Sequence, residues 1–404
     1  MLLPISDAIN LIFSNVKEAG EEELLIEETS GRVIAEDVES KIEMPPFNKS
    51  AMDGYAVKTS DTPGKLMLTE VVPAGIIPEK KLNKGETTLV MTGAPVPEGT
   101  EAVVMREQTI EGRDYIEIQK KAIKGENIAF KGEDIKKGER LLEKGEIITP
   151  GKVSLLATLG YRRVKVKKIP EASLIVTGNE LCEPGSIELP RGFIYNSNAY
   201  SLMAQYKELG GKINYIGIIE DNIENLVDSL SKAEKANIIL ISGGVSKGDY
   251  DYVEESIKQW GGKIIFHYVA IKPGKPFLFA KKKDVLVFGM PGNPVSTLVI
   301  FWKFIGPAVL KMQGAKELFP EKIPAFFKGN YSKKKDRPHY IGVKLIKSGN
   351  ILTAEYIPSH GSADVPSFCM ADGIIEIPQE IKAIKDGDLV EVRLIHPPFR
   401  YYER

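Results

Sequence analysis

The chain has 404 residues, enough for about two to four cores of ordinary size, and its 54 basic residues nearly cancel its 55 acidic ones, which excludes a global field that recruits nucleic acid or an anionic membrane. Two cysteines without paired spacing and four histidines without ligand spacing exclude a disulfide framework, a thiolate zinc site and a histidine metal cage. A reduced, cytoplasmic setting fits, and His267, His339, His360 and His396 read as structural or surface residues.

The chain begins MLLPISDAINLIF, with no basic leader or small-residue cleavage site, so the opening is read as an amphipathic helix with Ser6 as its N-cap and not as a signal peptide. A short apolar stretch, Leu24 to Ile26, and a helical or strand piece around Gly31 to Val38 follow. Pro45 and Pro46 then open PPFNKSAMDGYAV, where Asp53 and Gly54 predict a tight turn into a strand, and the Asp53 carboxylate either ties that turn or reaches a ligand. From Leu66 to Ile147 short apolar runs alternate with Gly and Pro clusters and no stretch has helical length, which predicts a compact, barrel-like β unit. Within it Thr92 in MTGAPVPEG and Asp134 in AFKGEDIKKG sit beside glycine, and loop punctuation explains both.

Thr149 and Pro150 cap a helix over Gly151 to Leu159, Tyr161 to Ile169 reads as a basic strand, and Pro170 marks entry into an α/β region. Four apolar strands there run into polar, glycine-bearing loops: Ser173 to Val176 into TGNE, Ile213 to Ile219 into Glu220 to Asn222, Ile238 to Ile241 into SGGVSKGDYDY, and Val285 to Phe288 into GMPGNP. Helical patterns alternate with them over Asn198 to Leu209, Ile223 to Lys235, Tyr252 to Trp260 and Val295 to Met312. The alternation predicts a doubly wound, mostly parallel sheet, which binds ligands beyond the carboxyl ends of its strands. Gly243 and Gly244 let backbone amides approach an anion, Lys247 adds a charge, and Asp249 and Asp251 suit a hard cation such as magnesium, although an ordinary turn with solvated charges has the same residues.

A fifth strand region, Lys263 to Val269, leads to IKPGKPF, where Lys272 and Lys275 on a stiffened turn suit phosphate or another oxyanion, or form an exposed basic turn. The apolar segment from Val295 to Leu310 carries Lys303, Gly306 and Pro307 and is read as a buried helix, not a membrane span. Beyond Leu318 strands over Ala325 to Phe327, His339 to Leu345, Ile351 to Tyr356, Ile374 to Ile377 and Leu389 to Leu394 predict a small all-β domain. No Ser-His-Asp or Cys-His arrangement is visible, and the inventory of carboxylates, lysines and glycines suits chemistry on a phosphate assisted by a cation.

Taken in order, PPFNKSAMDGYAV, VMTGAPVPEG, KGEDIKKG, TGNEL, SGGVSKGDYDY, IKPGKPF and MPGNPVS resemble the MoeA family of molybdopterin molybdenumtransferases and the homologous C-terminal domain of gephyrin. The resemblance implies an elongated homodimer of four-domain subunits: an extended helical domain from residues 1–44 and 147–169, a β-rich insertion at 45–146, an α/β molybdopterin-binding domain at 170–318 and a C-terminal β-barrel at 319–404. It further implies insertion of molybdate into adenylylated molybdopterin, with Mg2+-dependent cleavage of the phosphoanhydride and release of AMP.

By motif position the resemblance assigns activity to Asp53, Thr92, Asp134, Glu180, Asp221 and Asp251, with Glu180, Asp221 and Asp251 around the metal. It assigns ligand binding to Ser242, Gly243, Gly244 and Ser246, to Lys272 and Lys275, and to Pro291, Gly292, Asn293 and Pro294. Asp53, Thr92 and Asp134 are expected to complete the cleft from another domain or a partner subunit. Two departures stand out: Asn179 replaces an aspartate common among relatives, and SHGSADV alters the family's QGSG form. Other cofactor-biosynthesis enzymes and recipient apoenzymes are the expected partners. The competing readings are the adenylyltransferase that makes the adenylylated intermediate, a gephyrin-like scaffold, and a phosphate-binding module without turnover.

Overall fold

The computed structural model describes residues 2–185, 188–246, 252–334 and 336–395. The described chain forms two compact units, one of Met1–Glu36, Lys144–Val153 and Arg163–Arg404 and one of Asp37–Glu143 and Ser154–Arg162.

The first unit is built on a six-stranded sheet in the order Ile213–Ile219, Ala172–Thr177, Ile238–Ser242, Val285–Met290, Leu278–Lys282, Lys263–His267. The first four strands are parallel, and the last two join antiparallel. Strand alternation divides the apolar residues between the two faces. Leu174, Val176, Ile238, Leu240, Phe279, Leu286 and Phe288 pack under the helices Ser197–Glu208 and Pro294–Ile300 on one face. Ile175, Ile239, Ile241, Leu278, Ala280 and Val287 pack under Ile223–Ala233 and Val253–Gln259 on the other. Both faces are covered, so the strands are continuous apolar runs. The strand Leu278–Lys282 was not anticipated, because its residues follow the turn of IKPGKPF without a break in polarity.

The opening helix is Ile5–Asn15 and its N-cap is Pro4, not Ser6, whose hydroxyl bonds Asp7 within the first turn. Pro4 fixes the extended geometry that a cap requires, so the helix begins two residues earlier than a serine signal suggests. The basic strand Arg163–Lys167 pairs antiparallel with Glu21–Leu25, setting Glu21 opposite Lys167 and Glu23 opposite Lys165. Lys167 is buried there between Glu18 at 3.1 Å and Glu21 at 3.0 Å.

The helix Pro294–Met312 is long and apolar enough to span a bilayer, yet 78% of its apolar window is buried inside the protein. Its middle, Phe301–Ile305, is a π turn in which Gly306 N–H reaches Phe301 O, and this wider turn admits Pro307 without ending the helix. Lys303, inside that turn and 7% exposed, donates to Glu376 Oε2 at 2.9 Å and so fastens the helix to the closing barrel. The barrel is closed, in the order Lys322–Lys328, Ile351–Tyr356, His339–Ser348, Gly373–Ile377, Leu389–Leu394, around Phe327, Val343, Ala354 and Val392.

The second unit carries a six-stranded sheet in the order Ala102–Met105, Gly54–Val57, Glu86–Val90, Gly64–Val72, Tyr115–Ile118, Thr109–Glu111. It is not a closed barrel. Its two edge strands are consecutive in the chain, joined by the turn Arg106–Gln108, yet no ladder pairs them. The sheet therefore curls until its edges approach and stops short of closure.

Gly54 begins the strand that runs between two neighbours in this sheet, and a Cβ there would stand 2.3 Å from Val104 O. Gly54→Ala is expected to lower unfolding free energy by about 3 kcal/mol, because a ladder carbonyl has no room to retreat. Urea unfolding measures it, and a loss under about 1 kcal/mol would show that the ladder yields.

Candidate functional site

The carboxyl ends of the parallel strands converge as parallel pairing requires. The strand Ala172–Thr177 ends at Thr177, whose hydroxyl donates to Asp221 Oδ1 at the end of the neighbouring strand. Asn179 N–H donates to Asp221 Oδ2 at 3.3 Å, and Asp221 N–H donates back to Asn179 Oδ1 at 3.2 Å. Asparagine thus offers the acceptor this reciprocal clamp needs without setting a second negative charge beside Asp221. The Glu180 carboxylate folds over Gly178, its Oε2 2.9 Å from where a Cβ would stand.

On the other side of Thr177 lies the Ser242 to Ser246 loop. Gly243 has φ +101, and a Cβ on it would lie 2.2 Å from Thr177 O; Gly244 has φ +60 and would crowd Val253. Both glycines are therefore steric requirements. His267 bridges this loop at Val245 O, 2.9 Å away, to Glu254 Oε2 at 3.0 Å, which is the structural role expected of it. Lys247, Asp249 and Asp251 lie outside the described residues.

Asn293 caps the helix Pro294–Ile300, and its Nδ2 donates to Ser362 Oγ at 2.8 Å. Val295 N–H donates to Ser362 O at 3.1 Å, so the PGNP loop is tied to the altered SHGSADV segment. The Lys272 to Lys275 turn is braced in the same way: Lys272 N–H donates to Pro338 O at 3.0 Å and Tyr340 N–H to Lys272 O at 2.8 Å. Between these turns opens a cavity of about 460 Å³ whose wall includes Lys272, Lys275, Ser296, Arg337, His339 and Ser362. Among the described residues, no carboxylate pairs with Lys272 or Lys275. Three cations and two hydroxyls around one hollow suit a small oxyanion.

The strand ends and this cavity share the PGNP loop. The first holds Glu180, Asp221 and Ser242 to Ser246; the second holds Lys272, Lys275, Pro291 and Asn293. Sequence reasoning missed Arg337, Ser362 and Asn198, which donates to both Ser242 Oγ and Gly292 O. Ser362 lies in a segment singled out only for its departure from pattern, and the other two carried no motif.

His339 is 3% exposed, accepts from or donates to Tyr331 OH at 2.7 Å through Nδ1, and sets Nε2 3.4 Å from Asp336. Burial, with Lys272 and Lys333 nearby, pushes its imidazole from 6.5 down to about 4. The ring is neutral at pH 7, so Tyr331 OH donates to Nδ1 and Nε2–H faces Asp336.

In the second unit, Asp53 Oδ1 accepts both Thr92 N–H and Thr92 Oγ1–H at 2.6 Å. These two donors hold the Asp53 carboxyl below the usual aspartate range. The two residues therefore form one unit, although Thr92 alone reads as punctuation. Asp134 N–H donates to Met44 O at 3.0 Å, next to the PPFNKSAMDG stretch that carries Asp53.

Among the described residues, no three of His, Cys, Asp and Glu gather into a metal-holding group. Asp221 is bonded to Thr177 and Glu180 lies over the next residue, Gly178, so two oxygen donors stand at one strand end, and Asp221 keeps lone pairs beyond the two its clamp uses. That donor set fits Mg2+, which takes one or two carboxylates and completes its shell with water and phosphate oxygens.

Family profiles match residues 3–160 as the MoeA N-terminal region (domain I and II), residues 173–311 as a probable molybdopterin binding domain and residues 325–395 as the MoeA C-terminal region (domain IV). The chain is 33% identical over 404 residues to a molybdopterin molybdenumtransferase of Staphylococcus epidermidis, covering 97% of this chain and 95% of the relative. It is similar in structure to the molybdopterin biosynthesis moeA protein from Pyrococcus horikoshii OT3, with a TM-score of 0.85 and 31% identity over 98% of this chain and 100% of that one.

Two outcomes follow from the site. The folded state holds the His339 proton more weakly than the unfolded chain does, so the unfolded state binds more protons between pH 6.5 and about 4. Stability should fall across that window by about 1–3 kcal/mol more in the wild type than in His339→Gln, read from unfolding curves at several pH values. Thr92→Ala should raise the Asp53 pKa toward the ordinary aspartate value by removing the hydroxyl donor, as a carboxyl NMR titration would report.

Proposed function

Because this chain belongs to the MoeA family, we propose that it is a molybdopterin molybdenumtransferase of molybdenum cofactor biosynthesis that inserts molybdate into adenylylated molybdopterin and releases AMP. The observation that carries this reading is the cationic cavity beside the PGNP loop, where Lys272, Lys275 and Arg337 line a space of about 460 Å³ with room for an oxyanion and part of a larger ligand. Molybdate is a dianion whose oxygens accept hydrogen bonds, so ammonium and hydroxyl donors hold it without an imidazole base. Lys272 and Lys275 receive it, and Ser296 and Ser362 orient it.

Glu180 and Asp221 would hold Mg2+, with Asp251 beside them by family resemblance, and the ion would supply charge neutralisation at the phosphoanhydride. The residues of this chain then do the positioning. The clamp from Thr177 and Asn179 fixes the Asp221 carboxylate, and beside it the half-buried Gly244 lets the loop backbone approach a phosphate, while Gly243 N–H is held by Met290 O at 2.9 Å. Preorganised donors of this kind account for most of the rate enhancement available to phosphoryl chemistry. Asp53, Thr92 and Asp134 keep the role in activity that their motifs carry, and the working form is a cytoplasmic homodimer that hands its product to recipient apoenzymes. Family profiles match the N-terminal and C-terminal regions as well as the molybdopterin-binding domain, so the chain carries more than the α/β unit by which the adenylyltransferase reading stands.

Incubating the protein with adenylylated molybdopterin, Mg2+ and molybdate should release AMP, and omitting the oxyanion should stop it. Formation of adenylylated molybdopterin from molybdopterin and ATP without molybdate would instead identify the earlier enzyme. Glu180→Gln and Asp221→Asn should each slow AMP release by about a hundredfold or more while the protein remains folded. Lys272→Ala should weaken molybdate binding by about tenfold or more, the loss of one charge-assisted hydrogen bond. Unchanged molybdate affinity in that variant would remove the oxyanion from this cavity.

A further inference from the structure

Asn198 is the second residue of the helix Ser197–Glu208 and is 7% exposed. It does not cap that helix. Asn196 does so by accepting from Ala199 N–H, and it also donates to Tyr215 OH. Asn198 instead sends both hydrogens of its amide across to the strand ends, donating to Ser242 Oγ at 2.8 Å and to Gly292 O at 2.8 Å. The orientation of the amide is fixed, because Gly292 O can only accept and must therefore face nitrogen. Its Oδ1 is left buried without a hydrogen-bond partner.

A buried orphan acceptor is a cost that packing alone does not justify. An apolar side chain of the same size would remove the orphan Oδ1 but also the donor to the buried Ser242 hydroxyl. What the asparagine supplies in exchange is a side-chain tie that reaches further than the backbone bond from Gly243 N–H to Met290 O at 2.9 Å: it joins the Ser242 hydroxyl to Gly292 inside the PGNP loop. It also sets the polarity of a hydroxyl. Ser242 Oγ accepts from Asn198, so its single proton points away from Asn198 and is available to an acceptor at the strand ends.

We propose that Asn198 is a positioning residue for the phosphate-bearing part of the substrate: it locks the Ser242 and Gly292 loops in register and fixes the Ser242 hydroxyl as a donor to an anionic oxygen. The inference rests on the functional reading above, in which adenylylated molybdopterin is the substrate. Asn198 touches no reacting atom and acts through Ser242 and Gly292.

Two variants of the full chain test it. Asn198→Leu removes both donors and the orphan acceptor together, two opposing effects on stability, so it is expected to unfold within a few degrees of wild type while KM for adenylylated molybdopterin rises about tenfold and kcat changes less than threefold. A residue kept for packing would move stability and leave KM alone. Asn198→Asp keeps the size but accepts where the amide donated, so it should raise KM at least as far by capturing the Ser242 proton and repelling Gly292 O; it decides the matter if the leucine variant does not fold. Ser242→Ala should raise KM similarly, and combining it with Asn198→Leu should add little, since one path carries both effects. Wild-type KM in either folded Asn198 variant would overturn the inference, as would full multiplication of the Asn198 and Ser242 effects. Failure of the wild type to release AMP would overturn the functional reading and this inference with it, whereas wild-type turnover with unaltered variants overturns the inference alone.

Discussion

The closest approach in the site is between two backbones. Gly243 lies against the Thr177 carbonyl with no space for a methyl group, and Gly244 packs over the Thr177 hydroxyl that holds Asp221. Parallel pairing of Ala172–Thr177 with Ile238–Ser242 brings the two chain segments to the same height, and only glycine lets the second one turn there. The acidic side of the site and its amide-bearing side are thus two consequences of one steric contact. A side chain at residue 243 would push the loop away from Thr177 and loosen the carboxylate clamp at the same time.

A second constraint acts through the long helix Pro294–Met312. Its N-terminus carries the PGNP loop, and its middle presents the buried Lys303 to Glu376 of the barrel. One rigid element therefore sets both the loop at the strand ends and the position of the barrel that walls the cationic cavity. The backbone bonds of Lys272 with Pro338 and Tyr340 make a further tie on the opposite wall. The cavity is consequently held from two sides by main-chain and buried contacts, and among the described residues its two lysines, Lys272 and Lys275, have no carboxylate partner, while Arg337 stands 3.4 Å from Asp336. Positive charge is free to be spent on a ligand.

The second unit shows the same economy at smaller scale. Asp53 and Thr92 stand 39 positions apart, on either side of adjacent strands, and one carboxylate oxygen satisfies both donors of Thr92. A carboxylate held by two donors stays ionised and fixed in direction, which is what a residue acting on a charged ligand requires.

Five of the six strands of the α/β sheet, their helices and the five barrel strands were legible in the residues, because burial on both faces or on one face writes its own periodicity into the chain; Leu278–Lys282 was not. So were the glycine turns and the two lysines, since left-handed turns and unpaired amines restrict residue choice locally. Closure was not legible: the same alternation makes a closed barrel of Lys322–Lys328 to Leu389–Leu394 and an open, curled sheet of Gly54–Val57 and its neighbours, because closure depends on which edges meet. Nor could the sequence show that Thr92 answers Asp53, that Asn179 answers Asp221, that Ser362 answers Asn293, or that Asn198 spans two loops. Each of those is a bond between residues distant in the chain and adjacent in space. The chain by itself determined which residue types stand at the ends of its strands; only the folded packing decided which of them touch, since a hydrogen bond depends on ångström-scale separation and the linear order of residues carries none.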